Sequence, residues 1–215
     1  PDNFDWRTKN AISPVKEQGD CGSCWAFTAT GSLESHYQIR SGRSVSLSEQ
    51  YLVDCSRPNG NLGCDGGATT FAFDHIKENG IPTEESYPYT EQDGSCQKRP
   101  QMKGFKITGY IRTESGEEEH MKNALASRGP IAATIDGNHS TFNFYHSGIH
   151  YQPECKDNSP THAVLVVGYG TEDGQDYWIV KNSWGPAWGD NGYIKMARNR
   201  DNNCGIASNT VYPEL

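Results

Sequence analysis

Seven cysteines, at positions 21, 24, 55, 64, 96, 155 and 204, constrain this 215-residue chain more than any other feature. They are scattered through loops rich in Gly, Asn and Asp, which suits disulfides formed in an oxidising compartment better than a tight metal knuckle. An odd count leaves at least one thiol unpaired. A spare reactive thiol is a hazard in a secreted protein, so the unpaired cysteine is expected to have a task.

The segment QGDCGSCWAF, residues 18–27, sets two of the seven three positions apart in front of a helical pattern. A redox dithiol should follow an early buried strand in a βαβ unit, but the preceding NAISPVKEQGD is short, polar and interrupted by proline. Zinc would need a second closely spaced pair, and Cys55 and Cys64 stand nine apart with no matching partner. The third reading makes Cys24 a nucleophile. It lies where the helix begins, so free backbone N–H groups and the helix dipole stabilise a thiolate there, with Trp25 behind it as bulk. Such a thiolate needs a base, in practice a histidine.

The chain has two textures. Over residues 24 to about 80, CWAFTATGSLESHYQIRSG brings Ala26, Ala29, Leu33 and Tyr37 near one helix face, and Gly42 can close that helix. SLSEQYLVDC opens a short second helix with Ser46 and Glu49 as a capping box. GGATTFAFDHIKENG gives a third, closed by Gly80 and Pro82. From about 104 the runs FKITGYIRT, PIAATID, THAVLVVGYG, DYWIVKNSW and GYIKMAR are short and β-rich. One helix, EEEHMKNALASRG, interrupts them, and its leading glutamates favour the positive helix end rather than a ligand. An α-rich half against a β-rich half leaves a cleft between them, where ligands tend to bind.

Of seven histidines, His36, His75 and His120 fall inside helical patterns as surface or filler residues, while His139, His146 and His150 lie in or beside turns. His162 alone opens a strongly apolar strand. HAVLVVGYG and DYWIVKNSW can form a hairpin around TEDGQ as a five-residue loop. If Gly170 pairs with Asp176, His162 faces Trp184 and Asn182 lies diagonally beside it on the same face. A slip of one residue would send Asn182 to the other face.

These residues carry a resemblance. The chain resembles the papain-like cysteine proteases, and among them the cathepsin L subgroup, through QGDCGSCWAF, GCDGG (63–67), THAVLVVGYG and VKNSWGPAWGDNGY in that order. His162 follows Cys24 by 138 positions, inside the about 130–150 of that family, and Asn182 by 158, slightly past it. The resemblance covers essentially the whole chain. It implies an α+β, papain-like two-domain fold: an α-helical left domain over residues 12–110, to which the tail 209–215 returns, and a β-barrel-like right domain over 111–208, on which 1–11 packs. It further implies a cysteine endopeptidase in which His162 takes the Cys24 proton, giving a thiolate–imidazolium pair with a thiol pKa of about 3–4 against about 8.5 for a free one. Asn182 would orient the imidazole, Trp184 would shield that hydrogen bond, and Gln18 would join the Cys24 N–H as an oxyanion hole. The implied disulfides are Cys21–Cys64, Cys55–Cys96 and Cys155–Cys204; cysteine arithmetic alone leaves many other pairings open.

The same resemblance assigns substrate contacts. Gly66 and Gly67 would let an extended peptide backbone approach the cleft wall. The pocket for the residue second from the cut on the acyl side matches Ala68, Thr69, Thr134, Pro160, Ala163 and Asn209, smaller and more polar than in most cathepsin L relatives. It is expected to be roomy, to take medium aliphatic residues and tolerate polar ones. Nothing acidic stands at Asn209 to favour arginine. Thr161 departs from the Asn or Asp common before the histidine and would alter the pH profile rather than abolish activity.

A net charge of −8 argues against a nucleic-acid partner, and the longest apolar run, residues 163–167, is far too short to cross a bilayer. The opening PDNFDWR reads as the start of a mature protein without its targeting segment. No cofactor or metal is expected. Partners implied are polypeptide substrates, the protein's own propeptide and cystatin-type inhibitors, acting on a monomer in a lysosomal or secreted, oxidising and acidic setting. Asn138 heads an N-x-S glycosylation sequence in a surface loop. The competing functions are a peptide ligase using the same acyl-enzyme, and a catalytically silent binding relative.

Overall fold

A computed structural model describes residues 1–97 and 104–215, and no candidate site residue lies outside them. Three helices come first: α1 (Cys24–Ser41), α2 (Glu49–Cys55) and α3 (Thr69–Asn79). α1 and α3 end on Gly42 and Gly80, whose φ angles of 69° and 77° lie in the region where a Cβ is costly. α1 is not the one-sided helix its spacing suggests. Every residue from Trp25 to His36 is buried, because the helix runs between its helical neighbours and the sheet. Tyr37, expected on the buried face, is only half-buried.

The cap of α2 also differs from expectation. Ser48, not Ser46, caps it, its Oγ accepting the Tyr51 N–H at 3.0 Å. Glu49 is drawn inward instead, where Oε1 accepts Lys16 Nζ at 2.6 Å and Thr30 Oγ1 at 2.7 Å. A buried carboxylate needs such partners, and they win over a reciprocal cap.

Strands β1 (Phe4–Asp5), β2 (Gly109–Arg112), β3 (Ile131–Ile135), β4 (Ile149–His150), β5 (His162–Glu172), β6 (Gln175–Lys181), β7 (Tyr193–Ala197) and β8 (Thr210–Glu214) form one sheet. Its order is β2-β8-β3-β5-β6-β7-β4, with β1 on β5. Helices α4 (Glu118–Arg128) and α5 (Ser140–Asn143) interrupt the strands. Glu118, at the start of α4, does more than meet a helix dipole: Oε1 accepts the Trp178 indole N–H at 3.0 Å and the Asn199 N–H at 3.1 Å.

Two larger buried clusters, and a smaller one of Leu165, Val167 and Ile179, stabilise these layers. Trp25, Leu33, Leu52, Phe73 and Ile76 pack with Ala132 and Val211 of the sheet. Met121, Leu125, Val164, Val166, Trp178 and Ile194 fill the other. Alternation along β3 divides it between them, Ile131, Ala133 and Ile135 to one and Ala132 to the other. Burial on both faces explains why residues 163–167 read as an unbroken apolar run.

The β5–β6 hairpin turns on two residues, not five. Asp173 and Gly174 have φ of 50° and 74°, the positive pair a type I′ turn requires. Glu172 therefore pairs with Gln175, and Gly170 with Tyr177 rather than Asp176. Left uncorrected, that one-residue shift would turn Asn182 away from His162. A bulge between Val166 and Gly168 restores the expected alignment, pairing Val166 with Val180 and Leu165 with Lys181.

Candidate active site

The three disulfides are Cys21–Cys64, Cys55–Cys96 and Cys155–Cys204, and Cys24 is the free cysteine. The Cys21–Cys64 bridge, with Gly22 N–H donating to Cys64 O at 2.8 Å, ties the loop before α1 to the 63–67 segment. Trp25 adds its indole N–H to Gly22 O and Gly63 O at 3.1 and 3.2 Å.

Cys24 is the first residue of α1, and Ser23 precedes it without capping the helix by its side chain. The Ser23 hydroxyl turns instead to Tyr89 Oη at 2.8 Å. Ser23 thus takes up none of the N–H groups at this helix end, which favour a negative charge on the Cys24 sulfur.

His162 opens β5, and Asn182 follows β6. His162 Nε2 stands 2.7 Å from Asn182 Oδ1, which also accepts the Ser183 N–H at 2.8 Å. An atom accepting from a backbone N–H is the amide oxygen, so Nε2 carries the imidazole proton and Nδ1 is left to receive one. The half-buried Trp184 covers the pair, its ring centroid 4.9 Å from that of His162.

Gln18 is buried beside them. Its Nε2 donates to Cys21 O at 3.0 Å and its Oε1 accepts Ser183 Oγ at 2.7 Å. Tyr89 Oη donates to Gln18 O at 2.6 Å, so one hydroxyl links the Gln18 and Ser23 ends of the loop. Tyr89, Ser183 and Ser23 escaped the sequence reading. Tyr89 lies 62 residues beyond Phe27, the ring it meets edge-on at 5.0 Å, with no periodic signal linking the two.

Cys24 and His162 line one cleft of about 430 Å³, within the usual size of a ligand site. All nine expected substrate positions line it: Gly66, Gly67, Ala68 and Thr69 on one side, and Thr134, Pro160, Thr161, Ala163 and Asn209 on the other. Thr70, Ala132, Ala133 and Val211 line it as well. Thr161 Oγ1 accepts the Gly137 N–H at 3.0 Å, a structural bond behind His162.

Burial dominates the electrostatics. It pushes the Cys24 thiol up, opposed by backbone N–H groups, and pushes the His162 imidazole down to about 4. Each shift is the cost of one charge alone. Transfer of a proton from Sγ to Nδ1 creates both charges together, and two unit charges about 4 Å apart attract by about 4 kcal/mol at an effective dielectric of about 20. Beneath the site, Lys16 bridges Glu34 and Glu49 at 2.9 and 2.6 Å, and Lys181 donates to Ser13 O at 2.8 Å.

Asp136, His139 and Cys155 bring possible metal-ligand atoms within 4.8 Å of one another. The Cys155 sulfur is bonded to Cys204, so this group offers no thiolate. Asn138 is exposed just before α5.

A free thiol at a helix start shares one cleft with an imidazole bonded to an amide oxygen, the three groups that a Cys–His–Asn site requires. The chain belongs to the papain family: residues 1–214 match the profile described as papain family cysteine protease. It is 54% identical over 215 residues to a cathepsin L-like peptidase of Aedes aegypti, covering 99% of this chain and 63% of that protein. It is 55% identical over 210 residues to digestive cysteine proteinase 2 of Homarus americanus, covering 97% and 65%. The structure of digestive procathepsin L2 from Tenebrio molitor larval midgut superposes with a TM-score of 0.96 at 46% identity, covering all of this chain and 68% of that one. The α+β papain fold is thereby shown. The chain spans 63–65% of the length of these two curated relatives.

Proposed function

We propose that this protein is a cysteine endopeptidase, cathepsin L-like, that hydrolyses peptide bonds through a covalent acyl-enzyme. One observation carries the reading: the single free thiol begins α1 in the same cleft as His162, whose imidazole is fixed by Asn182 with Nδ1 left open. His162 takes the Cys24 proton, and the helix N–H groups hold the thiolate. Attack on a carbonyl places the developing oxyanion between the Cys24 N–H and Gln18 Nε2. The imidazolium then protonates the leaving amine, and water releases the acyl group.

Gly66 and Gly67 receive the extended substrate backbone. The P2 side chain, second from the scissile bond on the acyl side, enters the pocket formed by Ala68, Thr69, Thr134, Pro160, Ala163 and Asn209. The enzyme is made with a propeptide, as the similarity to procathepsin structures supports. It works as a monomer in a lysosomal or secreted compartment, is inhibited by cystatin-type proteins, and carries glycan at Asn138. Among the described residues no helix is long and apolar enough to cross a membrane.

The test joins active-site titration with product analysis. An epoxysuccinyl inhibitor should label Cys24 stoichiometrically and abolish peptide cleavage, and Cys24→Ser should remove turnover while leaving the fold intact. Stoichiometric labelling of an enzyme that cleaves no peptide would refute the hydrolase reading.

A further inference from the structure

Asn209 lies at the P2 end of the cleft, and its amide is held by a residue outside the cleft. Arg112 Nη1 donates to Asn209 Oδ1 at 2.9 Å. A guanidinium has donors and no acceptor, so the end of the amide facing it is the oxygen. The backbone fixes both partners. Arg112 ends β2 opposite Val211 of β8, and the Asn209 carbonyl accepts the Thr134 N–H at 3.2 Å. Among the described residues, no hydrogen bond takes up the other end of the amide, Nδ2.

An unrestrained asparagine can present either end to a ligand. Here Arg112 takes up the oxygen, so the N–H end is the one without a partner on a side chain that lines the cleft together with Ala133, Pro160 and Val211. The acidic group in the cleft lining is Asp65, on the opposite wall. The adjoining hollow behind Pro160 carries one charge of each sign, Lys156 and Asp157.

We propose that Arg112 tunes P2 specificity by orienting Asn209, so that among polar side chains the pocket takes one ending in an acceptor oxygen, such as glutamine, in preference to lysine or arginine. This rests on the proposed proteolytic function. A glutamine carbonyl accepts from Asn209 Nδ2 while Arg112 keeps Oδ1 satisfied. An arginine or lysine would bring donors against a donor and a positive charge toward a guanidinium. Sites that hydrogen-bond one partner reject a mismatched one strongly, because polar groups are left unpaired.

Dipeptidyl coumarin substrates with arginine at P1 and either glutamine or arginine at P2 test this. With enzyme concentration set by inhibitor titration, wild type should favour glutamine by about 10-fold in kcat/KM. Arg112→Ala, whose Asn209 can flip, should lose most of that preference, and Arg112→Lys, which keeps a donor, should retain it. An Arg112→Ala ratio equal to wild type, equal ratios for the Ala and Lys variants, or a wild type that prefers arginine would overturn the proposal. Calorimetric binding of the two uncleaved dipeptide amides to Cys24→Ala reads the same preference without turnover. A wild type that titrates but does not cleave would therefore refute proteolysis, while the binding ratio still decides the role of Arg112.

Discussion

Ser183 and Gln18, far apart in the chain, are joined twice: Ser183 Oγ donates to Gln18 Oε1 at 2.7 Å, and Gln18 N–H donates to Ser183 O at 2.8 Å. With its oxygen taken, the amide can offer only Nε2 to the cleft. If that N–H stabilises an oxyanion, Gln18→Ala should lower kcat by about 10²–10³-fold with little change in KM. Alkylation of Cys24 by iodoacetamide, which forms no oxyanion, should stay close to wild type. A kcat near wild type on a peptide substrate would remove Gln18 from the oxyanion hole.

The pH dependence of that alkylation separates two states of the Cys24–His162 pair. Taken singly, burial raises the thiol and lowers the imidazole to about 4, so each would be neutral near pH 7. The alkylation rate would then climb with pH through and beyond the ordinary thiol range. A joint ion pair predicts instead a plateau across mildly acidic and neutral pH, falling only near about pH 4. We expect the plateau in wild type and the late climb in His162→Ala. A wild-type profile that rises only at alkaline pH would show that the pair rests neutral.

The fold, and the meeting of most candidate site residues in one cleft, could be read from short local motifs, and what escaped that reading was set by long-range geometry. Gly42 and Gly80 announce two helix ends because a cap with positive φ favours glycine. The Val166–Gly168 bulge has none: an extra residue in a strand changes register without changing its apolar pattern. The Asp173-Gly174 turn and the bulge offset each other, so the expected meeting of His162 and Asn182 arises by a different path. Ser46 and Ser48 both fit a cap, and only the burial of Glu49 between Lys16 and Thr30 decides between them. Arg112 is invisible in sequence because its effect passes through the orientation of another side chain.

The buried charges under the cleft predict a pH-dependent cost. Burial pushes the Glu49 carboxyl up to about 7 against the pull of Lys16, above its ordinary value of 4.5. The folded state thus binds more protons than the unfolded one between those values, and this group's contribution to stability falls as pH rises through that window. Lys16→Met leaves Glu34 and Glu49 facing each other without their cation. At pH 8 the variant should lose about 3–5 kcal/mol, and the loss should shrink toward pH 5 as Glu49 takes up a proton. Urea unfolding at the two pH values measures it. An equal loss at both would mean that Glu49 does not titrate in this range.

Two adjacent glycines on the cleft wall should respond differently to a methyl group. A Cβ on Gly67 would lie 2.4 Å from Asn61 Oδ1 and 2.8 Å from the Trp25 ring. Neither neighbour is free to yield, since Asn61 Oδ1 accepts the Ala68 N–H and the Trp25 indole N–H donates to Gly22 O and Gly63 O. Gly67→Ala must therefore displace the wall itself, at about 1–3 kcal/mol of overpacking, and KM for peptides should rise with the fall in melting temperature. Gly66 has open space at its Cβ, but its φ of 118° is strained for any other residue. Gly66→Ala should cost about 1–3 kcal/mol of backbone strain without moving Trp25. Tryptophan fluorescence distinguishes the two: a shift is expected in Gly67→Ala and not in Gly66→Ala, and a Gly67→Ala enzyme with unchanged spectrum and KM would show that the wall absorbs the methyl group without moving.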